Sequence, residues 1–391
     1  MKKQKPKIAI VRGKFLNKYE MQIFEPLVSK FDITGFGSLK PFHEKYAFPV
    51  IKLPSPMDLP EFPYKMPILN RLFIDAQYLF GLEAKLKGFD IVHSAESYYH
   101  YTQQCLNAKK KGYVKKVIAT VLENIPFNNE GIWGRKNFKK RARLELDHII
   151  ALTNKTKEAL ILEGADPGKI TIIGHGINTL IFKPRSIVKT SSNARASEDK
   201  QKSKFDVNIL FTGRLEFYKG IFDVVKAAEI LLKNRDLKSY NLTFTFIGNG
   251  TKKKKLLQLE EKLKIEKFII HKEVSYDKMP EEYNSADIFI APSKPIPTYE
   301  EQYCTVLLEA QASGLSIVTT KSGGIPENVG DAAVLVEPGD YKSIAKEIKS
   351  FILIPRKRIE YSEKARKRAE TVHDSKIIAK KIAELYEFVL S

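Results

Sequence analysis

Short segments of apolar, β-branched residues alternate along this chain with longer stretches in which apolar residues recur at helical spacing. Ten segments predict strands: Ile8–Val11, Ile91–His93, Val117–Val121, Ile149–Leu152, Ile170–Ile173, Asn208–Thr212, Thr243–Ile247, Phe268–His271, Ile288–Ala291 and Ser316–Thr319. Because these nearly continuous apolar segments lie between helical stretches, we expect strands buried on both faces of parallel sheets. The pattern predicts the α/β class, with two doubly wound parallel-sheet domains.

A polar segment separates the two series of strands. Pro184 to Phe205 reads PRSIVKTSSNARASEDKQKSKF, which is rich in Ser and Lys and typical of a linker. We therefore predict an N-terminal domain over residues 1–184, a linker over 185–205 and a C-terminal domain over 206–372. Ligand is expected in the cleft between such domains, where the carboxyl ends of both sheets face each other.

The last segment, over residues 373–391, predicts an amphipathic helix at Ser375 to Val389. Its apolar residues at helical spacing are Ile377, Ile378, Ile382, Leu385, Phe388 and Val389. We expect this face to pack back toward the N-terminal domain.

Composition narrows the class of protein. With 391 residues, 43% hydrophobic and 29% charged, the chain is an ordinary globular protein of about two domains, which excludes a disordered or fibrous one. Its formal net charge of +20 favours an anionic partner, namely phosphates, nucleic acid or an acidic membrane surface. Two distant cysteines, Cys105 and Cys304, form neither a disulfide framework nor a zinc ribbon, which favours a reducing cytosol.

Neither a leader peptide nor a membrane helix is expected. The basic start of the chain is followed by only four apolar residues, Ile8 to Val11, which are too few for a signal peptide. No stretch approaches the roughly 20 apolar residues of a membrane-spanning helix. We expect a soluble cytoplasmic protein in which any membrane contact is peripheral.

Candidate binding chemistry follows the strands of the second half. Gly213 to Gly220, GRLEFYKG, comes directly after a strand and before a helix that starts near Ile221. Glycine there allows close approach of the backbone to a ligand, and Arg214 and Lys219 supply two cations suited to a diphosphate. A basic turn facing solvent is the alternative. Gly248 and Gly250 end the next strand in a GxG turn, which is weaker evidence because tight βα turns also use it.

The segment Pro292 to Glu327 is the most specific. We predict a loop and then a helix of about nine residues from near Thr305 to Gly314, with Glu301 just before the helix and Glu309 within it. A carboxylate on the helix suits a ribose diol, and one in the loop suits sugar hydroxyls. Because the helix is mostly apolar, its glutamate needs a partner. Amides at the helix start offer an anion site, those of Cys304, Thr305 and Val306.

These motifs, in this order, resemble the retaining glycosyltransferases of family 4 (glycosyl transferases group 1). They are GRLxxxKG, GxG, E-x7-E within PTYEEQYCTVLLEAQASG, and SGGIPE. The preceding HGINTLIFKP, His175 to Pro184, is similar to the family's crossing between domains, and the motifs cover about Ile149 to Pro338. The resemblance implies the GT-B fold, two Rossmann-like domains facing a central cleft, and a nucleotide-diphospho-sugar as donor.

The resemblance also implies roles for individual residues. Arg214 and Lys219 would hold the donor diphosphate, Glu309 the ribose and Glu301 the hydroxyls of the transferred sugar. The amides after Tyr303 would bind the distal phosphate, and the segment from His271 to Val274 would contact the base. The family usually has Phe-Gly where this chain has Tyr303-Cys304. It needs no metal and no tightly bound cofactor; a UDP-, GDP- or ADP-sugar is the substrate.

The reaction implied is transfer with retention at the anomeric carbon, an EC 2.4 hexosyltransferase activity. Arg214, Lys219 and the helix amides would stabilise the departing diphosphate. That phosphate would itself accept the proton of the acceptor hydroxyl, so no enzymatic nucleophile is required. The acceptor is a glycan, a lipid-linked saccharide or a small hydroxyl compound.

In the first half the resemblance implies fewer roles. Arg12, Gly13 and Lys14 follow the first strand where the family has a glycine-rich loop, and we expect them to touch donor phosphate or an anionic acceptor; the alternative is a surface turn. His93 matches a position where the family commonly has His, and it is predicted to act on acceptor or sugar. Glu123 is expected near the acceptor. A satisfied structural role is the alternative for both His93 and Glu123.

One basic segment suggests a surface partner. Six cations between Arg135 and Arg143, with Trp133 and Phe138, predict either a rim that contacts anionic lipid at the inner face of the cell membrane or a solvated basic helix face. Two other functions remain alternatives: a nucleotide-sugar epimerase of the same fold, and a basic nucleic-acid-binding protein. The second is disfavoured because the cations scatter over many helices and no aromatic RNA-binding signature is present.

Overall fold

The strands of the protein are parallel throughout and form two separate sheets. In the computed structural model, which describes residues 4–184, 205–263, 268–271 and 274–391, strands β1 to β13 are Lys7–Gly13, Asp32–Ser38, Val50–Leu53, Phe89–Ala95, Val114–Val121, His148–Ala151, Ile170–Ile172, Phe205–Thr212, Tyr240–Ile247, Phe268–His271, Ile288–Ala291, Ser316–Thr320 and Val334–Val336. The helices of the described residues, α1 to α14, are Lys18–Met21, Lys65–Phe73, Leu82–Lys85, His100–Lys110, Arg135–Glu145, Asn154–Leu162, Ile221–Leu232, Lys253–Leu263, Met279–Asn284, Val306–Ala312, Ile325–Val329, Tyr341–Leu353, Pro355–Arg368 and Ser375–Leu390.

Both sheets are doubly wound. The first has the strand order β3-β2-β1-β4-β5-β6-β7, and the second has the order β10-β9-β8-β11-β12-β13. In each sheet the first strand lies inside, the next two strands extend to one edge, and the chain then returns to the other side of the first strand. This order confirms the two Rossmann-like domains predicted from the alternation of strands and helices.

Burial on both faces explains why the strands have nearly continuous apolar sequences. In β1, Ile8 and Ile10 join one apolar cluster, while Ala9 and Val11 join the cluster on the opposite face. Successive side chains of a strand point to opposite faces, so a strand covered on both sides needs apolar residues at every position. Short apolar segments are therefore sufficient to locate most of these strands.

The predicted strands are all present, and three further ones were missed. β2 contains Gly35 and Gly37, and β3 is a four-residue strand between Pro49 and Pro54. β13, Val334–Val336, is only three residues long. Glycine weakens the apolar pattern and flanking prolines indicate a loop, so neither strand stands out from its neighbours in the sequence.

The chain divides into two compact units at Ile177. One unit comprises Met1–Ile177 with His373–Ser391, and the other comprises Asn178–Val372. The division therefore falls before the predicted boundary at 184. Residues that follow it are held within the second unit by Arg366, whose guanidinium donates hydrogen bonds to the carbonyl oxygens of Thr179, Phe182 and Ala312. Of the predicted linker, 185–205, all but Phe205 lies outside the described residues, and Phe205 begins β8.

The C-terminal helix belongs to the first unit. In α14 the side chains of Ile378, Ile382, Leu385 and Val389 are buried in one of the two apolar clusters of that unit, as predicted. Phe388 was expected on the same face but is exposed. Across the residues that the structure describes, no helix combines the length and the apolar character that crossing a membrane would require.

Candidate functional site

The glycine turns of the second unit bring main chains together. Gly248 has a φ of 146°, and a Cβ atom there would overlap the carbonyl oxygen of Gly213. A Cβ atom at Gly250 would likewise collide with the carbonyl group of Leu215. Gly248 and Gly250 were predicted to contact the donor, with a tight βα turn as the alternative. The contacts agree with a tight turn, because these glycines let the ends of two neighbouring strands pack against each other. Their role in donor binding remains a prediction.

Arg214 is exposed and lies over two aromatic rings. Its guanidinium carbon is 5.3 Å from the ring centre of Tyr218 and 5.9 Å from that of Tyr299. The two rings contact each other with centroids 4.4 Å apart. The guanidinium makes no ion pair or hydrogen bond with any residue that the structure describes. It is therefore a cation held in place by aromatic contacts, with its donors available to an anion.

Lys219 and Glu301, whose side chains are 16% and 4% exposed, form a largely buried ion pair close to Arg214. Lys219 lies in a single 3₁₀ turn, Phe217–Lys219, and its Nζ donates to Glu301 and, at 2.8 Å, to the Tyr299 hydroxyl. Glu301 also accepts a hydrogen bond of 2.6 Å from the Ser293 hydroxyl and one from Tyr299. The cation and carboxylate predicted from separate motifs are thus brought into direct contact.

The electrostatics of this pair keep both groups charged. Burial by itself would raise the pKa of Glu301, but the positive charge of Lys219 and three hydrogen bonds outweigh it and lower the pKa. For Lys219, burial would lower the pKa, and the Glu301 carboxylate reverses this and raises it. Burial and the nearby Glu301 charge raise the pKa of Tyr299 to about 12, so its hydroxyl stays protonated and can donate.

Glu309 lies on α10 and is bound by tyrosines. The Tyr283 hydroxyl is 2.6 Å from Glu309 Oε2 and 2.8 Å from the Thr212 hydroxyl. Burial raises the pKa of Glu309 to about 7, against the opposing effect of the Tyr283 and Tyr276 hydroxyls. The hydrogen-bonded partner expected for a glutamate on an apolar helix is therefore Tyr283.

The start of α10 has a strained residue. Cys304 has a φ of 58°, a left-handed conformation that glycine adopts more readily. Its main chain is held by the Asn328 side chain, whose Nδ2 donates to the carbonyl oxygens of Tyr303 and Cys304. The helix has seven residues, Val306 to Ala312, and is shorter than predicted. Thr305 precedes it, so the first amides lie where a helix supplies no acceptor.

Of the segment predicted to meet the base, the structure describes His271, which ends β10, and Val274. Val274 is partly exposed and is separated by one residue from the turn Tyr276–Lys278. The two residues before it lie outside the described part of the chain.

In the first unit, Arg12 is not the exposed cation that the sequence suggested. It is 1% exposed, and its Nε donates to Glu20 Oε1 at 2.6 Å. Its Nη1 donates to the carbonyl oxygens of Val11 and His93, each at 3.0 Å. Because the fold's own groups neutralise this cation, its predicted contact with phosphate is corrected to a structural role.

The two residues after Arg12 do not bury a charge as Arg12 does. Gly13 has a φ of 54°, and a Cβ atom there would lie 3.1 Å from Gln77 Oε1. Lys14 is partly exposed and donates to the carbonyl oxygen of Lys40. Both remain predicted ligand-binding residues.

His93 is a core residue, which corrects its predicted catalytic role. The side chain is fully buried, with Nδ1 2.7 Å from the Tyr386 hydroxyl and Nε2 2.7 Å from the Thr120 hydroxyl. Burial, reinforced by the charge of Arg12, lowers the pKa of His93 well below its usual value. A neutral imidazole with both nitrogens bonded inside the core cannot reach a substrate.

Glu123 lies beside a second buried carboxylate that the sequence reasoning missed. Glu123 Oε2 accepts hydrogen bonds from the Asn128 and Asn129 side chains, at 2.9 and 3.0 Å. Glu96, at the end of β4, has a φ of 59° and accepts a 3.0 Å hydrogen bond from the Leu122 amide. Burial and the charge of Glu123 raise the pKa of Glu96 to about 8. Only its place after a strand could have indicated Glu96.

The basic helix α5 is mostly neutralised. Four of its six cations pair with carboxylates: Arg135 with Asp75, Lys139 and Arg143 with Glu163, and Arg141 with Glu145. Lys136 and Lys140 are exposed. Both interpretations of this segment, a basic rim and a solvated basic face, therefore overestimated the charge it presents.

Within the described ranges, no three His, Cys, Asp or Glu side chains gather as metal ligands would.

Comparisons with known proteins agree with this arrangement. The family model described as Glycosyl transferases group 1 matches residues 192–368, and that described as Glycosyltransferase Family 4 matches residues 39–179. The capsular polysaccharide biosynthesis glycosyltransferase CapM of Staphylococcus aureus is 27% identical over 252 residues, 62% of each chain. A D-inositol 3-phosphate glycosyltransferase of Catenulispora acidiphila is 27% identical over 56% of this chain and 51% of its own. The chain thus spans between about half and two thirds of these curated relatives.

Solved structures share the fold over nearly the whole chain. Anabaena Alr3699/HepE, in complex with UDP and glucose, superimposes with a TM-score of 0.73 at 17% identity, covering 97% of this chain and 99% of its own. A glycosyltransferase from Rickettsia africae gives a TM-score of 0.69 at 19% identity, covering 99% of each chain. With matches to both family models, the chain belongs to the glycosyl transferases group 1, has an N-terminal glycosyltransferase family 4 domain, and adopts the GT-B fold.

Proposed function

We propose that the protein transfers a sugar from a nucleotide-diphospho-sugar to a hydroxyl acceptor, with retention of anomeric configuration and without a bound metal. The observation that carries this proposal is the arrangement at the strand ends of the second unit. An exposed guanidinium without an ionic partner, Arg214, lies close to the buried Lys219–Glu301 pair. Two permanent cations next to a carboxylate suit a ligand that has a diphosphate at one end and sugar hydroxyls at the other.

Each side chain has a proposed task. Arg214 and Lys219 bind the diphosphate, Glu301 accepts hydrogen bonds from hydroxyls of the transferred sugar, and Glu309 accepts them from the ribose. Amides at Cys304, Thr305 and Val306 hold the distal phosphate. HepE is described in complex with UDP and with UDP-glucose, so UDP is the first nucleotide to test, before GDP and ADP.

The chemistry needs charge stabilisation more than acid–base catalysis. As the glycosidic bond to phosphate breaks, negative charge grows on the departing diphosphate, and the preplaced cations stabilise it more than the ground state. The departing phosphate accepts the proton of the acceptor hydroxyl, which attacks from the same face of the sugar. Lys219 keeps its charge at neutral pH because the Glu301 carboxylate raises its pKa.

The acceptor belongs to the first unit in this proposal. Lys14 and Glu123, with the Gly13 turn, are the residues proposed to meet a glycan, a lipid-linked saccharide or a small hydroxyl compound. Both cysteines are free thiols, which supports a reducing, cytoplasmic location.

We further propose an anionic membrane surface as a partner, through α2 and the neighbouring start of α5. Tyr64, Leu72 and Trp133 are 79%, 71% and 78% exposed. Ile74, next to α2, would lie 2.8 Å from a Cβ atom at Gly134, so the end of α2 and the Trp133 segment are neighbours. Exposed cations, Arg71 and Lys136, accompany these apolar side chains. Apolar and aromatic residues with cations suit the headgroup region of an acidic bilayer.

Vesicle binding tests this partner. The protein should sediment with vesicles that contain phosphatidylglycerol, and Leu72→Glu with Trp133→Glu should abolish this. Leu162→Glu with Phe388→Glu, which adds the same two charges at other exposed apolar residues of the first unit, should not. Equal binding by the two variants would refute the membrane proposal.

Nucleotide binding tests the transferase proposal. UDP, GDP and ADP are titrated calorimetrically into the wild-type chain, Arg214→Ala and Arg235→Ala. Arg235 is a matched control, because it is an exposed arginine of the same unit in a turn away from these residues. We expect one nucleotide to bind and Arg214→Ala alone to weaken it by about tenfold or more. Absence of nucleotide binding, or equal affinity in the two variants, would overturn the proposal.

Transfer itself separates the alternatives. Release of nucleoside diphosphate that depends on an acceptor supports a transferase. Interconversion of the nucleotide-sugar with no acceptor would indicate an epimerase, and tight binding of DNA or RNA with no nucleotide-sugar binding would indicate a nucleic-acid-binding protein.

A further inference from the structure

The loop between β11 and α10 contains a tight turn that directs a tyrosine toward the proposed donor residues. In this turn Ile296 and Tyr299 pair through two main-chain hydrogen bonds, Ile296 N to Tyr299 O at 2.8 Å and Tyr299 N to Ile296 O at 3.1 Å. Two prolines, Pro295 and Pro297, restrict the backbone around it. Tyr299 is therefore held at a fixed position by its own loop.

The same loop is fastened to the turn that contains Lys219. The Lys294 amide donates to the carbonyl oxygen of Tyr218 at 2.8 Å. The Lys294 ammonium pairs with Asp223 Oδ2 at 2.7 Å and lies 4.1 Å from the ring centre of Phe217. Main chain, ion pair and aromatic contact together fix the loop relative to the Phe217–Lys219 turn. This attachment sets the distance between Tyr299 and Lys219.

Tyr299 contacts three of the side chains that the proposed reaction uses. Its hydroxyl accepts a hydrogen bond from Lys219 and donates one to Glu301. Its ring packs on Tyr218, and the two rings support the guanidinium of Arg214. Hydroxyl and ring thus act on different groups, the hydroxyl on the buried ion pair and the ring on the exposed cation.

We propose that Tyr299 is a positioning residue of the transferase, whose hydroxyl fixes Lys219 and Glu301 while its ring, with Tyr218, supports Arg214. The inference rests on the proposed function. A donor must be held by Lys219 at its phosphate and by Glu301 at its sugar, and these two groups also attract each other. The Tyr299 hydroxyl, bonded to both, keeps their spacing when a ligand takes over part of their contact. Small displacements of such groups lower the rate more than they lower ground-state binding.

Separating hydroxyl from ring tests the inference. Tyr299→Phe removes only the hydroxyl, whereas Tyr299→Leu removes the ring as well. Tyr240→Phe is the matched control, because Tyr240 begins β9, at the far end of that strand from these residues, and its hydroxyl makes no hydrogen bond with the described residues. For each variant we would measure the affinity for UDP, GDP and ADP, the kcat and KM for release of the nucleotide from the sugar conjugate that binds, and the melting temperature.

The two variants should differ in kind. Tyr299→Phe should lower kcat by about 10- to 100-fold, the range for lost hydrogen bonds to charged groups, with nucleotide affinity within about twofold of wild type. Tyr299→Leu should in addition weaken nucleotide binding by about two- to fivefold, because Arg214 loses part of its aromatic support. Tyr240→Phe should match the wild-type chain in kcat and affinity.

The outcomes distinguish this inference from the function on which it rests. A wild-type chain that binds none of the three nucleotides overturns the proposed function, and the inference with it. A wild-type chain that binds and releases nucleotide, with a Tyr299→Phe kcat equal to that of Tyr240→Phe, overturns the inference alone. If the lower kcat of Tyr299→Phe is fully explained by a smaller folded fraction, as judged from its melting temperature, the residue is structural and the inference is again wrong.

Discussion

The two units have sheets wound in the same order, but they treat cationic side chains differently. In the first unit Arg12 is buried and paired with Glu20, and Arg135 is buried and paired with Asp75. In the second unit Arg214 is exposed, lies over two aromatic rings, forms no ion pair with the described residues, and is close to the Lys219–Glu301 pair. A cation that follows a strand is therefore not by itself a sign of ligand binding. Its partners and its burial decide between a structural and a binding role.

The physical reason lies in the cost of burying charge. A buried ion without a partner costs several kcal/mol, so the buried Arg12 and Arg135 of the first unit are neutralised by carboxylates of the fold. A phosphate that bound Arg12 would have to displace Glu20. An exposed guanidinium on aromatic rings remains solvated until an anion arrives, and its planar donors are already oriented. The second unit is thus prepared for an anionic ligand in a way that Arg12 is not.

The largest expected effect comes from breaking the buried pair of the second unit. Lys219→Met should lower kcat by about 100- to 1,000-fold, since it removes a cation from the departing diphosphate. It should also lower the free energy of unfolding by about 3 kcal/mol, because Glu301 is left buried without its cation. Arg214→Ala should impair the reaction with a change in unfolding free energy within about 0.5 kcal/mol, since that residue has no ionic partner to abandon. Urea unfolding and steady-state kinetics measure both.

A double variant controls for the Glu301 carboxylate that Lys219→Met leaves without its cation. Lys219→Met with Glu301→Gln removes both charges, so most of the lost stability should return while the activity stays low. Equal destabilisation by Arg214→Ala and Lys219→Met would contradict the contrast between an exposed and a buried cation.

His93 is expected to show the opposite behaviour to Arg214, with an effect on stability and none on activity. His93→Leu should lower the free energy of unfolding by about 3 kcal/mol, because it leaves the buried hydroxyls of Tyr386 and Thr120 without partners. The kcat of the folded fraction should stay close to wild type, because the imidazole touches no substrate. Tyr386→Phe removes one of the same hydrogen bonds and should cost about 1 kcal/mol. A loss of kcat in His93→Leu that is absent from Tyr386→Phe would restore the catalytic role that the sequence suggested.

A residue could be predicted from the sequence when a short local motif contains it. This was so for four residues that lie in motifs next to strands: Arg214, Lys219, Glu301 and Glu309. Tyr299 could not be found this way, because its contact with Lys219 joins residues 80 positions apart and depends on how β8 and β11 pair. Tyr283, the partner of Glu309, is likewise distant in sequence.

The burial of polar side chains was the second property that the sequence did not reveal. His93 and Arg12 lie in or beside apolar strands that the pattern located correctly, but the pattern does not say which polar side chain faces a core and which faces a ligand. Tyr386 of α14, nearly 300 residues after His93, occupies one imidazole nitrogen. Only the packing of that helix on the first sheet, a tertiary property, reveals this contact. The fold was therefore more predictable than the role of any single polar residue.

Glu309 should make both stability and binding depend on pH. Its pKa is about 7 in the folded protein against an ordinary 4.5, so the folded state binds the proton more tightly. The free energy of unfolding should therefore fall as the pH rises from 4.5 to about 7, by about 3 kcal/mol in total. Nucleotide affinity should change in the opposite sense and rise over the upper part of this range, because the ionised carboxylate is the better acceptor for ribose hydroxyls.

Glu309→Gln separates this group from the others that titrate. The difference in unfolding free energy between wild type and Glu309→Gln should shrink below pH 5, where both side chains are neutral, and the wild-type slope above it should be missing from the variant. Urea unfolding and calorimetric titration of UDP at several pH values measure the two trends. Identical slopes in wild type and variant would assign the titration to another group, such as Glu96 of the first unit.

The smallest effect is expected at Cys304, the strained residue at the start of α10. Its left-handed backbone costs about 1 kcal/mol relative to glycine, whereas its buried side chain contributes a similar amount through packing. Cys304→Gly should therefore unfold within about 1 kcal/mol of wild type. Cys304→Ala keeps the strain and loses the packing, so it should be less stable than Cys304→Gly by about 1 kcal/mol. Urea midpoints of the two variants decide the point, because in an unstrained position alanine would be the more stable of the two.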